Sequence, residues 1–318
     1  MNASLFSTRH FVSDRSTTDQ APRQGSADRA LVLGGGGSAG NAWVIGVVAG
    51  LFDAGVDVTA ADLVIGTSAG STAAVQLLST SPADLLAAVL GPTPQHRPGQ
   101  GGPGRGAPAR PPVNHFERTT AVIAAASDPV DLRRRLGASA LELDEAGDES
   151  VQARWRATVA ARLPGLAWPE RRLLITAVDA ATGEPVVFDR DSGVDVVDAV
   201  AASCSSGPPY GIGGDQFIDG GYRRSSENAD LAAGCARVLV LSPFGGRSRV
   251  PMGWDMHLGA QVEELRAGGS RVETILPDST ALEAFGDNMM ELSRRAPAAR
   301  AGFDQGSALD GPLAEFWR

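Results

Sequence analysis

The sequence contains no lysine; its 28 basic residues are all arginine. This removes the Gly-Lys-Ser/Thr signature through which a nucleotide P-loop grips phosphate. With abundant Ala, Gly and Pro, it also points to a GC-rich, bacterial coding sequence. Cysteine is nearly absent. Cys204 and Cys235 are too few for a disulfide framework and show no metal-ligand spacing. They read as inert buried thiols, and neither a metal nor another cofactor is expected. Histidine occurs four times, as His10, His96, His115 and His257, so the usual general base of hydrolases is poorly supplied. No apolar run approaches the roughly 20 residues of a membrane-spanning helix. Residues 1–28 are rich in Ser, Thr, Asp, Arg and Gln and lack the apolar centre of a signal peptide. They read as a disordered tail on a cytoplasmic protein.

What remains is a chain of 318 residues, 43% of them hydrophobic, which suffices for a full-sized core. The net charge of −9 argues against nucleic acid and anionic membranes as stable partners. One domain is expected over residues 29–318. Residues 91–112 interrupt it with Pro, Gly, Gln and Arg, which cannot build a core and read as a mobile surface insertion.

The run Ala30-Leu31-Val32-Leu33, stopped by four glycines, predicts a buried strand entering a tight loop. Apolar residues at helical spacing predict a helix over 41–54, with Gly55 at its end. Asp62-Leu63-Val64-Ile65 predicts a second buried strand, turned by Gly66-Thr67-Ser68-Ala69-Gly70 into a helix ending near Leu78. Strand, glycine loop, helix, strand, turn and helix make a βαβα unit, hence a parallel sheet with a right-handed crossover. Helical patterns resume over 114–163 with a break near Gly137. Strands are expected at 172–178, 185–188, 216–218, 237–241 and 271–276, and a helix at 194–203. No internal repeat is visible. The fold class is α/β, a three-layer α/β/α domain around a mostly parallel sheet.

Three features could carry chemistry. Gly66-Thr67-Ser68-Ala69-Gly70 is a G-x-S-x-G sequence at a strand-to-helix junction, where a strained serine needs small neighbours and the next helix aims its free N–H groups at developing negative charge. The loop Gly34-Gly35-Gly36-Gly37-Ser38-Ala39-Gly40 can direct several backbone N–H groups at one anionic atom, as an oxyanion hole or a phosphate cradle. Asp219-Gly220-Gly221 follows a short strand; alone it reads as a turn.

In this order, the glycine loop, the GTSAG turn and the distant DGG resemble the patatin-like phospholipase family, over most of residues 30–243. Further likeness lies in Thr182-Gly183-Glu184-Pro185-Val186-Val187-Phe188, Ala201-Ala202-Ser203 and Ala229-Asp230-Leu231-Ala232-Ala233-Gly234. The resemblance implies a Ser–Asp dyad without histidine: Ser68 as nucleophile, Asp219 as base, Gly66 and Gly70 framing the nucleophile elbow, and Gly220 and Gly221 completing the DGG. It assigns the oxyanion hole to the amides of Gly35, Gly36 and Gly37. It implies lipid acyl esters as substrates, transient contact with a membrane or micelle surface, and no cofactor. The chain departs from the family's pattern at Ala39, where Lys or Arg is usual, and over 204–212, which is short and poor in apolar residues.

Other readings compete. An α/β-hydrolase esterase would use Ser68, an acidic residue and His257 in that chain order, although only one strand precedes the elbow's own strand. A non-catalytic acyl-lipid-binding protein could keep the fold and have lost turnover. An anion- or nucleotide-binding module built on residues 34–40 would leave Ser68 and Asp219 without a role.

Overall fold

The computed structural model describes residues 28–91, 115–143 and 149–317. The expected N-terminal tail before Asp28 and the Pro/Gly-rich insertion beyond Gly91, with His10 and His96, therefore lie outside the described residues.

The apolar run that opens the fold becomes the middle of a sheet. Strand β1 (Arg29–Leu33) is buried on both faces, and it pairs in parallel with β2 (Leu63–Gly66) on one edge and β7 (Arg237–Leu241) on the other. Beyond β7 lies β8 (Arg271–Ile275), and beyond β2 lies β3 (Arg172–Asp179), both parallel to their neighbours. The sheet then changes direction: β4 (Pro185–Phe188) and β6 (Asp215–Asp219) run antiparallel to β3, and β5 (Tyr210–Ile212) antiparallel to β6. A two-residue loop, Gly213-Gly214, joins β5 to β6 with φ of 60° and 96°, the positive values that a tight hairpin demands.

Alternate side chains of the central strands feed two cores. Leu31, Leu33, Val64, Ile175, Leu239 and Leu241 face the thicker layer, with residues of α1 (Gly37–Asp53), α2 (Ala69–Ser79), α7 (Val196–Ser203) and α10 (Arg295–Ser307). Ala30, Val32, Ile65, Val238 and Val240 face the opposite side, against α8 (Leu258–Ala267). This is the three-layer α/β/α architecture with a mostly parallel sheet that the sequence pattern predicts.

In the thicker layer, α1 and α10 cross at unusually short range. A Cβ on Gly46 would lie 2.1 Å from the Ala299 carbonyl oxygen, and one on Gly50 2.2 Å from that of Phe303. From the other helix, Gly302 and Gly306 press equally on the carbonyls of Trp43 and Val47, at 2.4 and 2.3 Å. Glycines spaced by four residues on both helices let the backbones touch.

Several boundaries depart from the expected ones. Helix α1 begins at Gly37, inside the glycine loop, because Ala39 and Gly40 continue its first turn. The helical stretch after the insertion divides into α4 (His115–Ala125), α5 (Pro129–Leu141) and α6 (Glu149–Ala160). Gly137 does not break it. It sits buried within α5, where a Cβ would lie 2.1 Å from the Ala180 oxygen, so this glycine serves packing. The break falls instead at Asp128, which caps α5 by accepting the amides of Val130 and Asp131.

Candidate active site

The register places Ser68 and Asp219 together. Strand β4 pairs with residues 175–178 of β3, overlapping the stretches paired with β2 (172–175) and with β6 (177–179). A strand has two edges, so β2 and β6 share the edge opposite β4. They run towards each other along it, and their C-terminal ends meet beside Thr176. Ser68 follows the end of β2, and Asp219 closes β6.

Ser68 holds φ 52°, ψ −121°, a conformation that costs a non-glycine residue about 1–3 kcal/mol. Its neighbours explain how it persists. A Cβ on Gly66 would lie 2.6 Å from the Ser71 Cα, and one on Gly70 2.0 Å from the Leu33 oxygen. The Thr67 amide donates to the Leu33 carbonyl, the Ser68 amide to the Ser203 hydroxyl, and the Ser71 hydroxyl to the Ser68 carbonyl. The turn is thus fixed to β1, to α7 and to its own helix.

The Ser68 hydroxyl donates to Asp219 Oδ2 at 2.8 Å. Asp219 is only 7% exposed, and burial raises its pKa to about 6; the Gly221 amide on Oδ1 and the Ser68 hydroxyl offset part of that rise. Its own amide donates to the Ser205 carbonyl. Gly220 has no room for a side chain, since a Cβ would lie 2.2 Å from both the carbonyl and the hydroxyl oxygen of Thr176.

Behind the pair, Asn228 is fully buried in left-handed backbone at φ 53°. Its amide nitrogen reaches Thr67 Oγ1 at 3.0 Å, Thr176 Oγ1 at 3.2 Å and the Gly220 carbonyl at 2.9 Å. One side chain therefore ties the residue before Ser68 to the residue after Asp219. Next to it, the buried carboxylate of Glu227 accepts the hydroxyls of Ser225, Ser226 and Ser242.

The glycine loop runs alongside. A Cβ on Gly35 would stand 3.4 Å from that of Ser68, so the loop backbone lies against this serine. The Gly35 amide, however, donates to the Ser226 carbonyl at 2.8 Å. This corrects the expectation that it serves as an oxyanion donor: its hydrogen is spent, and Gly35 supplies close approach. Among the described residues, no acceptor engages the amides of Gly36 and Gly37, which open α1. Pro243 backs Gly36 and Gly40, and Met290, 69% exposed, rests against Gly37. Ala39 leaves the loop without its own cation, yet Arg295 of α10 donates to the Ser38 carbonyl and to Asn41 Oδ1. The thick layer thus brings a guanidinium to the first turn of α1.

His257 does not join this constellation. Its Nδ1 accepts the Ala260 amide and caps α8, so the arrangement of the esterase triad is not formed. Cys204 lies 3.9 Å from the Ser71 hydroxyl, where burial raises its thiol to about 12, and Cys235 is buried; neither is activated. No cluster of metal-binding side chains occurs among the described residues, and no helix among them is long and apolar enough to cross a membrane.

The two residues singled out in the sequence, Ser68 and Asp219, are thus brought together, and around them stand Asn228, Arg295, Ser203 and Ser226, which the sequence pattern did not single out. Asn228 stands in the polar stretch Ser225-Ser226-Glu227-Asn228, which reads as an exposed loop, and Arg295 is one of 28 arginines.

No family model matches the chain, and no curated protein does. Among solved structures the chain is similar to VipD from Legionella pneumophila, with a TM-score of 0.40 and 14% identity over 90% of this chain and 67% of that one. It is also similar to the type III effector protein ExoU, with a TM-score of 0.36 and 15% identity, over 90% of this chain but only 53% of the other. The chain therefore spans about half the length of ExoU. Similarity at this level assigns no residue a role.

Proposed function

We propose that this chain is a serine acyl hydrolase of the patatin-like type, cleaving lipid carboxylic esters through a Ser68–Asp219 dyad. The observation that carries the reading is the 2.8 Å hydrogen bond from the Ser68 hydroxyl to a buried carboxylate raised to about 6. A carboxylate of ordinary pKa, about 3.9, is a feeble base at neutral pH; one near 6 is ionised at pH 7 and still takes a proton more readily.

In the first step Asp219 accepts the Ser68 proton as Oγ attacks the ester carbonyl carbon. The carbonyl oxygen becomes an oxyanion held by the Gly36 and Gly37 amides at the N-terminus of α1. The intermediate collapses to an acyl-serine, and Asp219 returns the proton to the departing alkoxide. A water molecule deprotonated by Asp219 then releases the fatty acid and restores Ser68. The Arg295 guanidinium beside Ser38 and Asn41 adds positive potential to the same helix end. Met290 on Gly37, and Phe244 next to Pro243, give the loop an apolar margin suited to transient contact with a lipid surface.

The test is labelling with a fluorophosphonate, read by mass spectrometry, beside hydrolysis of a panel of acyl esters. Labelling is expected on Ser68, to vanish in Ser68→Ala and Asp219→Asn, and to persist in His257→Ala. A folded protein that takes no label and cleaves no ester would instead be an acyl-lipid-binding protein without turnover.

A further inference from the structure

Glu227 takes no direct part in the dyad chemistry, yet it is a carboxylate only 1% exposed. Its partners are hydroxyls. Oε2 accepts from Ser225 at 2.7 Å, and Oε1 accepts from both Ser226 and Ser242 at 2.6 Å. Surrounding groups fix the direction of two of these bonds. Ser225 Oγ already accepts the Gln261 side-chain amide at 2.9 Å and the Glu227 backbone amide at 3.1 Å. Ser242 Oγ accepts the Gly246 amide at 2.9 Å. An N–H can only donate, so each hydroxyl turns its single hydrogen to Glu227. Both carboxylate oxygens therefore receive hydrogens, and an amide of the same shape could not accept at both.

What this carboxylate joins is the floor of the glycine loop. Ser226 presents its carbonyl to the Gly35 amide at 2.8 Å. Ser242 stands between Leu241, whose carbonyl takes the Gly34 amide at 3.0 Å, and Pro243, whose ring backs Gly36 and Gly40. The two serines reach the loop from different elements, Ser226 from the stretch after Asp219 and Ser242 from the end of β7. Oε1 spans them, and a Cβ on Gly34 would stand 3.4 Å from Glu227 Cγ. Asn228, the next residue, ties Thr67 to Gly220. Consecutive side chains thus serve the two halves of the site, Asn228 the Ser68–Asp219 pair and Glu227 the loop.

Resting on the hydrolase reading above, we infer that Glu227 is a positioning residue: through Ser226 and Ser242 its carboxylate clamps the two segments that carry the glycine loop, and so sets where the Gly36 and Gly37 amides stand relative to Ser68. Its hydrogen bonds go to neither Ser68 nor Asp219, so it acts through the loop alone. A filler of the core would need only the shape of the side chain. A purely stabilising residue would leave turnover by the folded protein intact.

Two measurements on the full-length protein separate these. The first takes kcat and KM for a soluble short-chain ester in Glu227→Gln, Ser242→Ala, their combination and the exposed control Glu263→Gln. Both single variants are expected to lower kcat about tenfold or more, part of the roughly 10²–10³ lost with a whole oxyanion donor. KM should stay within about threefold of the wild type. The combination should lose no more than the worse single variant, because both break one link. The kcat/KM profile should keep its inflection near pH 6, since Asp219 is undisturbed, and Glu263→Gln should match the wild type. An unchanged kcat in either single variant, multiplied losses in the combination, or a shifted inflection overturns the inference and leaves the hydrolase standing. The second measurement needs no turnover: hydrogen exchange of the Gly35 amide, followed by NMR on glycine-labelled protein. The Gly70 amide, bonded to the Thr67 carbonyl, is the internal reference. Exchange at Gly35 about tenfold faster or more in both single variants, with Gly70 unchanged, supports the clamp even if no ester is cleaved and the hydrolase reading fails. Exchange of Gly35 at the wild-type rate, or an equal rise at Gly70, overturns it.

Discussion

At the residue scale, Asp219 sets a conflict between stability and reactivity. Its folded pKa of about 6 lies above the value of about 3.9 expected for an unfolded aspartate. Between those values the folded state binds more protons than the unfolded one, so stability falls as pH rises from about 4 to about 6. Above that window the ionised, buried carboxylate costs on the order of 3 kcal/mol. Asp219→Asn removes the charge. It is expected to abolish ester hydrolysis and raise the urea midpoint at pH 7.5, with little gain at pH 4; equal midpoints at pH 7.5 would show that burial does not strain this group. For the wild type, kcat/KM should fall tenfold per pH unit below about 6 and level off above it, as a base that must be ionised requires. A profile flat down to pH 4.5 would rule Asp219 out as the base. Ser68 and Asp219 were legible in the sequence because strained backbone and close approach demand glycines beside them, and glycines are visible. Asn228 acts through an amide in the core and leaves no such mark.

At the scale of elements, the glycine loop and the Asn228 bridge hold Ser68, Asp219 and the Gly36 and Gly37 amides in register. A Cβ on Gly36 would meet the Pro243 Cβ at 2.5 Å. Gly36→Ala should therefore displace the loop and lower kcat by about 10²–10³, the typical loss for one oxyanion donor. Gly55→Ala is the control. Its φ of +82° strains any side chain, but nothing lies within 4 Å, so it should cost about 1 kcal/mol of stability and no activity. For the bridge, Asn228→Gly keeps the left-handed backbone relaxed and deletes only the amide. It should lower kcat at least tenfold with a stability loss of about 1–3 kcal/mol; full kcat would reduce Asn228 to a core residue. The order of strands and helices was legible because buried strands and amphipathic helices repeat with different periods. Hairpin β5–β6 was partly hidden, since Tyr210-Gly211-Ile212 is too short to show a period, and Gly137 misled because packing and helix breaking use the same residue.

On the scale of the whole molecule, the sheet's change from parallel to antiparallel brings two strand ends together at Thr176, a meeting that no local pattern could announce. The pairing of α1 with α10 is likewise long-range. Gly46→Val should force the helices apart, with a stability loss on the order of 3 kcal/mol, and should draw Arg295 from Ser38 and Asn41. Calorimetry would register the first effect and ester turnover the second. The same contact has a bearing on the birth of the protein. Ribosomes deliver the elbow and the glycine loop well before Arg295, Gly302 and Gly306 of α10. A half-made chain would hold its nucleophile without the late helix that clamps the loop beside it. On the proposed reading, reactivity towards lipid then switches on only after α10 has been made, and the cell's own acyl esters are spared by copies that stop short of it.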